Sequence, residues 1–128
     1  MSYYFARTLD MPFDAAVARV VEALGGEGFG VLSDIDVSAT LQKKLGVTFR
    51  RYRILGACNP GFAHRALQIE DKVGTMLPCN VVVQETADGR TEIAAVDPVA
   101  SMQAIDNPQL RDVAASVQAK LQAAIAAV

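Results

Sequence analysis

The residues able to do chemistry gather in three short segments: Cys58-Asn59-Pro60 with His64 just downstream, Pro78-Cys79-Asn80, and Asp97-Pro98. A pair of thiols can act as nucleophile and resolving group or as ligands to a soft metal. A histidine oriented by a carboxylate can move a proton, provided the two lie within hydrogen-bond reach. Side-chain amides can hold a small polar ligand. Cys58, Asn59, His64, Cys79, Asn80 and Asp97 are therefore the candidate site residues.

Each of them also has a plainer role. A cysteine near a strand end is ordinarily a small packing residue, and a lone histidine in the first turns of a helix is ordinarily a surface one. Asp97 can cap the segment begun by Pro98, and Asn59 can cap the helix begun by Pro60. Two cysteines and one histidine supply three ligands without CxxC or HxxxH spacing, so no metal is assigned, and no cofactor is implied.

The elements that must position these residues follow from apolar periodicity. Tyr3 to Leu9 reads as a strand. A helix follows Pro12, with Phe13, Val17, Val20 and Leu24 on one side and Gly25-Gly26 at its end. Phe29, Val31, Ile35 and Val37 alternate with Gly30, Leu32, Asp34 and Asp36, as in a strand. Ser38 is expected to cap a short helix in which Val37, Leu41 and Leu45 share a side and Gly46 gives the stop.

Arg51 to Cys58 reads as the next strand, and the helix from Pro60 is expected to bury Phe62, Ala66, Ile69 and Val73. Cys79 to Val83 and Thr91 to Val96 form a hairpin around Asp88-Gly89. After Asn107 and Pro108, a stripe of Leu110, Val113, Ala114, Val117, Leu121, Ile125 and Val128 marks a final amphipathic helix. The order is β-α-β-α-β-α-β-β-α, an α+β fold in which each one-sided helix needs a sheet or a second helix to cover it.

Topology decides whether the candidate residues meet. If the hairpin strands extend an antiparallel meander begun by the two strands before them, three strand termini share one rim. These are the end of the Arg51 strand, the start of the Cys79 strand and the end of the Thr91 strand. A parallel crossover between Cys58 and Cys79 would place them at opposite ends.

Composition removes several functional classes. The chain has 128 residues, with 12 basic and 14 acidic side chains and a formal charge of −2. That length suits one domain with a real core, and a near-neutral balance lacks the basic field of a nucleic-acid binder. No apolar run approaches a membrane span and the first residues show no leader pattern, so a cytoplasmic protein without membrane partners is expected. In that reducing compartment both cysteines stay thiols most of the time.

The Arg50-Arg51-Arg53 group offers guanidinium donors for an anion, against which stand ion pairs to Asp34 and Asp36 on a solvated edge. The run Gly25-Gly26-Glu27-Gly28-Phe29-Gly30 follows a helix and enters a strand, the wrong order for a phosphate loop.

The segments Tyr52 to Pro60, Ala63 to Leu67, Leu77 to Val81 and Asp97-Pro98 resemble the family called domain of unknown function 302 across nearly the whole chain. The paired Cys-Asn-Pro and Pro-Cys-Asn motifs carry that resemblance. It implies a two-layer fold similar to the TATA-binding-protein-like sheet-and-helix architecture, with helices on one face of a mainly antiparallel sheet, and a homodimer. It supplies a fold and a motif, and no reaction.

Three functional readings follow from the sequence. The leading one is a small homodimeric domain binding a compact polar or anionic ligand at the Cys/Asn/His/Asp rim. The second is thiol-based redox or sulfur-transfer chemistry at Cys58 and Cys79. The third is a purely structural interaction module.

Overall fold

Alternating burial along the hairpin sets the layer arrangement. In β4 (Cys79–Glu85) and β5 (Thr91–Val96), Cys79, Val81, Val83, Thr91, Ile93 and Ala95 are buried, whereas the residues between them are half-buried or exposed. One face of the sheet is therefore roofed and the other open. The computed structural model describes residues 2–128; Met1 lies outside the described residues.

Five strands pair antiparallel in the order β1-β5-β4-β3-β2, with β1 at Tyr4–Leu9, β2 at Gly30–Asp36 and β3 at Tyr52–Cys58. The expected meander is thus present, and β1 closes beside β5. Ala57 faces Cys79 and Val81 faces Ala95, which brings the end of β3, the start of β4 and the end of β5 to one rim.

The roof consists of α1 (Phe13–Gly26), α3 (Pro60–Ile69) and α5 (Pro108–Ala127), with α2 (Val37–Leu45) beside β3 and a short α4 (Pro98–Ser101) packed on α5. The last helix buries Leu110, Val113, Ala114, Val117, Leu121 and Ile125, the stripe expected from the sequence, although Val128 stays half-buried beyond it. Arg7 on β1 donates to the carbonyls of Ile125, Ala126 and Val128 at 3.2, 2.9 and 2.8 Å, capping the end of α5.

Several expectations need correction. Ser38 does not cap α2: Asp36 accepts from Ala39 N at 2.9 Å, while the Ser38 hydroxyl donates to Phe49 O. The apolar side read for that helix is not a core face, since none of its residues is buried and Leu45 is 69% exposed. The helix from Pro60 stops at Ile69, and the buried Val73 belongs to a separate 3-10 turn, Val73–Met76.

In β2 a bulge between Val31 and Ser33 inserts Leu32. One extra residue reverses the facing of everything after it. Val31 thus pairs with Ala57 on the roofed face, whereas Ile35 pairs with Ile54 on the open face and is 49% exposed.

Candidate functional site

Three elements converge at the rim where β3 hands over to α3 and β4 begins, and they leave a cavity of about 480 Å³ between them. Its sheet-side wall carries Ala57, Cys58 and Cys79, and Asn59 and Pro78 stand at the strand ends. Phe62, Ala63, Ala66 and Leu67 of α3 form one side; Met102 with Val113, Ala114 and Val117 of α5 form the other; Phe29, Leu32 and Ser33 of the edge strand region close it. The space exists because small residues, Ala57, Ala63, Ala66 and Ala114, occupy positions where longer side chains would have interlocked.

Of the six candidate residues, Cys58, Asn59 and Cys79 line this cavity. Cys79 is buried and Cys58 half-buried, and both are free thiols. Burial pushes the Cys79 thiol up to about 11, with the neighbouring Cys58 adding to the shift. Cys79 is therefore a neutral thiol at physiological pH. Asn59 does not cap α3: its side-chain Nδ2 donates to Glu27 O at 3.3 Å, tying the strand end to the turn that leaves α1. Gly28 makes that turn in the left-handed region, at φ 86°, and a Cβ there would stand 3.1 Å from the Asn59 amide nitrogen.

The other three face elsewhere. On α3 the cavity takes residues 62, 63, 66 and 67, so His64 lies on the outer side of the helix and is exposed. Asn80 follows Cys79 by one residue and projects from the open sheet face, also exposed. Asp97 is half-buried and occupied: it accepts from Val99 N and Ala100 N as the cap of α4, and Gln118 Nε2 donates to both its oxygens at 3.0 and 3.1 Å. Among the described residues, His64 and Asp97 share no hydrogen bond, so the proton-transfer dyad is not formed.

The arginine group is likewise committed. Arg53 pairs bidentately with Asp34, whose carboxyl is held below the usual carboxylate range by that hydrogen bond. Arg51 reaches Asp14 on α1 rather than Asp36, which is the α2 cap. Arg50 lies 4.4 Å over the Phe49 ring and donates to Gln84. A cleft of about 310 Å³ beside Arg51 and Arg53 is thus edged by cations that already have partners.

Sequence reasoning read the apolar wall only as core. Phe29, Phe62, Ala66, Val113 and Val117 all sit on stripes that look like packing positions, and one distinguishing signal is the alanines interspersed among them. A second signal is Gly56 on β3, where a Cβ would meet Ser33 Oγ at 2.2 Å and Pro78 Cγ at 2.7 Å. Its absence lets both cavity-lining residues close over the strand.

Sheet order, one-sided roof and twin Cys-Asn motifs together define a two-layer α+β domain. The family model described as "Domain of unknown function DUF302" matches residues 5–128, and the chain belongs to that family. It is similar to an uncharacterized conserved DUF302 protein from Bacillus stearothermophilus, whose crystal structure superposes with a TM-score of 0.92 at 31% identity over 98% of each chain. No curated protein matches the chain.

Proposed function

We propose that this protein binds a small, mainly apolar molecule, or the apolar part of an amphiphile, in the cavity at the Cys58–Cys79 rim. The observation that carries the reading is the lining: no charged side chain contributes to it, and Ser33, Asn59 and the two thiols are the polar exceptions. A volume of about 480 Å³ falls within the range of small-molecule sites, which are mostly apolar with a few placed polar groups. A compact anion would find no cation here, because His64 and Arg65 lie on the outer side of α3. The rim still supplies polarity at one end, so an amphiphile would set its head group near Asn59 and Ser33.

Fluorescence of an anilinonaphthalene sulfonate probe, displaced by medium-chain fatty acids or by small aromatic hydrocarbons, tests this. Ala63→Phe places a ring in the cavity from a half-buried position and is expected to abolish probe binding while the circular dichroism spectrum is kept. Equal probe binding by the Ala63→Phe variant would rule the cavity out as the binding site.

We further propose that two copies pair through the open face of the sheet. Ile54, Val82, Ala94 and Val96 are half-buried there, flanked by exposed Ile35 and Tyr4, on the face opposite the buried Val81, Val83, Ile93 and Ala95. An apolar sheet centre of this kind is matched by a second identical one under two-fold symmetry. Light scattering of the purified chain is expected to give the dimer mass, and Val82→Asp the monomer mass. A monomer at micromolar concentration for the unsubstituted chain would refute the pairing.

Thiol redox chemistry at Cys58 and Cys79 is the competing reading, favoured by their shared cavity. Against it, the raised Cys79 pKa keeps that sulfur protonated and a poor nucleophile. Titration with a thiol reagent at neutral pH separates the two: redox work requires two fast-reacting thiols and a reversible disulfide, whereas a packed Cys79 reacts slowly.

A further inference from the structure

Two residues that line the cavity are large, apolar and left in water. Leu32 is 73% exposed and Leu67 46%, whereas Ala57, Ala66, Val113 and Ala114 behind them are buried. A residue that both lines a cavity and meets solvent stands at its mouth. Among the described residues three leucines are exposed, and the third, Leu45 on α2, lines no part of this cavity.

Each leucine is held at the mouth by its own element. Leu32 is the extra residue of the β2 bulge, without a partner on β3, and β2 is the outermost strand of the sheet. A bulge re-aims a side chain that regular pleating would have fixed on one face. Leu67 lies one turn beyond Ala63 on the cavity side of α3, near the end of that helix. Both forgo burial that an apolar molecule crossing the mouth would restore.

Charge decides what kind of molecule crosses there. No cation lines the cavity, so an ionised head drawn inside would lose its hydration without gaining a partner. An amphiphile with such a head enters tail first and keeps the head in water. The methylenes next to the head then occupy the mouth, against Leu32 and Leu67. A compact aromatic hydrocarbon, by contrast, fits wholly behind the leucines and leaves them solvated.

We infer that the cavity takes a single linear acyl chain with an ionised head, and that Leu32 and Leu67 close on the methylenes between head and interior. This inference rests on the apolar-ligand reading and deepens it by naming the ligand class and the two residues that select it. It separates affinity from stability: both side chains are exposed in the free protein, so their loss weakens the ligand and leaves the fold as stable as before.

Displacement of the anilinonaphthalene sulfonate probe by the saturated series octanoate, decanoate, dodecanoate and tetradecanoate tests this, with naphthalene as the compact competitor. Affinity is expected to rise about fourfold per added methylene along the series. Leu32→Ala and Leu67→Ala are each expected to weaken dodecanoate about tenfold, the worth of roughly two buried methylenes, with naphthalene binding and the urea midpoint unchanged. Leu45→Ala is the control and should alter neither competitor.

If naphthalene displaces the probe but dodecanoate binds the leucine variants as tightly as the unsubstituted chain, this inference falls and the cavity reading stands. Should neither competitor displace the probe, both fall together. A smaller mass by light scattering for Leu32→Ala, at unchanged dodecanoate affinity, would give the leucines to a second copy of the chain and overturn the ligand role. Phosphatidylcholine vesicles are expected to displace no probe; displacement by vesicles and not by the free acids would overturn the single-chain class.

Discussion

Gly56→Ala tests the packing that closes the cavity rim. The backbone there is one that any residue adopts, since the left-handed glycines are Gly28, Gly46 and Gly89, so the cost arises wholly from contact. A Cβ would stand 2.2 Å from Ser33 Oγ and 2.7 Å from Pro78 Cγ, where ordinary contacts lie at 3.4–4 Å. The Ser33 hydroxyl is the free end of an exposed side chain and can rotate away for about 1 kcal/mol. The Pro78 ring has no such freedom, because its φ is fixed by the ring and its chain continues directly into β4.

Overpacking of this kind costs about 1–3 kcal/mol. The restriction of the unfolded chain by alanine returns only about 0.4–1 kcal/mol, so the loss wins. At this size that corresponds to a Tm lowered on the order of 5–10 °C. Gly30→Ala is the internal control, because a Cβ at that strand position meets nothing within 4 Å and no loss is expected. Urea unfolding of the two variants side by side decides the matter. A Gly56→Ala protein as stable as Gly30→Ala would refute the claim that Pro78 is immovably seated on β3.

Three further predictions concern single groups. Because the Cys79 thiol is raised from 9.0 to about 11, the folded state keeps its proton after the unfolded state has lost it, so stability falls as pH rises from about 9 to 11. The unfolding free energy from urea titrations, followed over that range in reductant, should drop by about 2–3 kcal/mol more for the unsubstituted chain than for Cys79→Ala; parallel curves would contradict the burial argument. Asp97→Ala removes the α4 cap and the anchor of Gln118 and should cost about 1–2 kcal/mol, while Asp97→Asn, which still caps, should cost less; equal losses would count against the capping role. Arg7→Ala frees three carbonyls at the end of α5 and should speed amide exchange in its last turn by roughly fivefold, about 1 kcal/mol, whereas unchanged exchange would show the cap to be idle.

Local chemistry made much of this fold legible before any coordinates. The stripe from Leu110 to Ile125, the Pro60 and Pro108 helix starts and the Asp88-Gly89 hairpin depend on neighbours a few residues away, and they stand as read. The meander that gathers Cys58, Cys79 and Asp97 at one rim was accessible by extending the hairpin logic by two strands. What failed were choices between adjacent residues that the pattern leaves equivalent. Asp36 and Ser38 can both cap α2, and only the approach of Phe49 to the Ser38 hydroxyl assigns them. Alternation through β2 cannot show a bulge, because an inserted Leu32 leaves the composition of the strand unchanged while turning Ile35 to the other face.

The site divides in the same way. The sequence by itself determined the twin thiols, their strand ends and the helix that starts beside them, because those follow from spacing along the chain. The tertiary structure alone decided that His64 faces solvent, that the Asp97 carboxylate belongs to α4 and Gln118, and that the space beside the thiols is apolar. The rotation of α3 about its axis and the reach of α5 across it are set by the contacts between those two helices, and packing between elements distant in the chain leaves no periodic trace in either one.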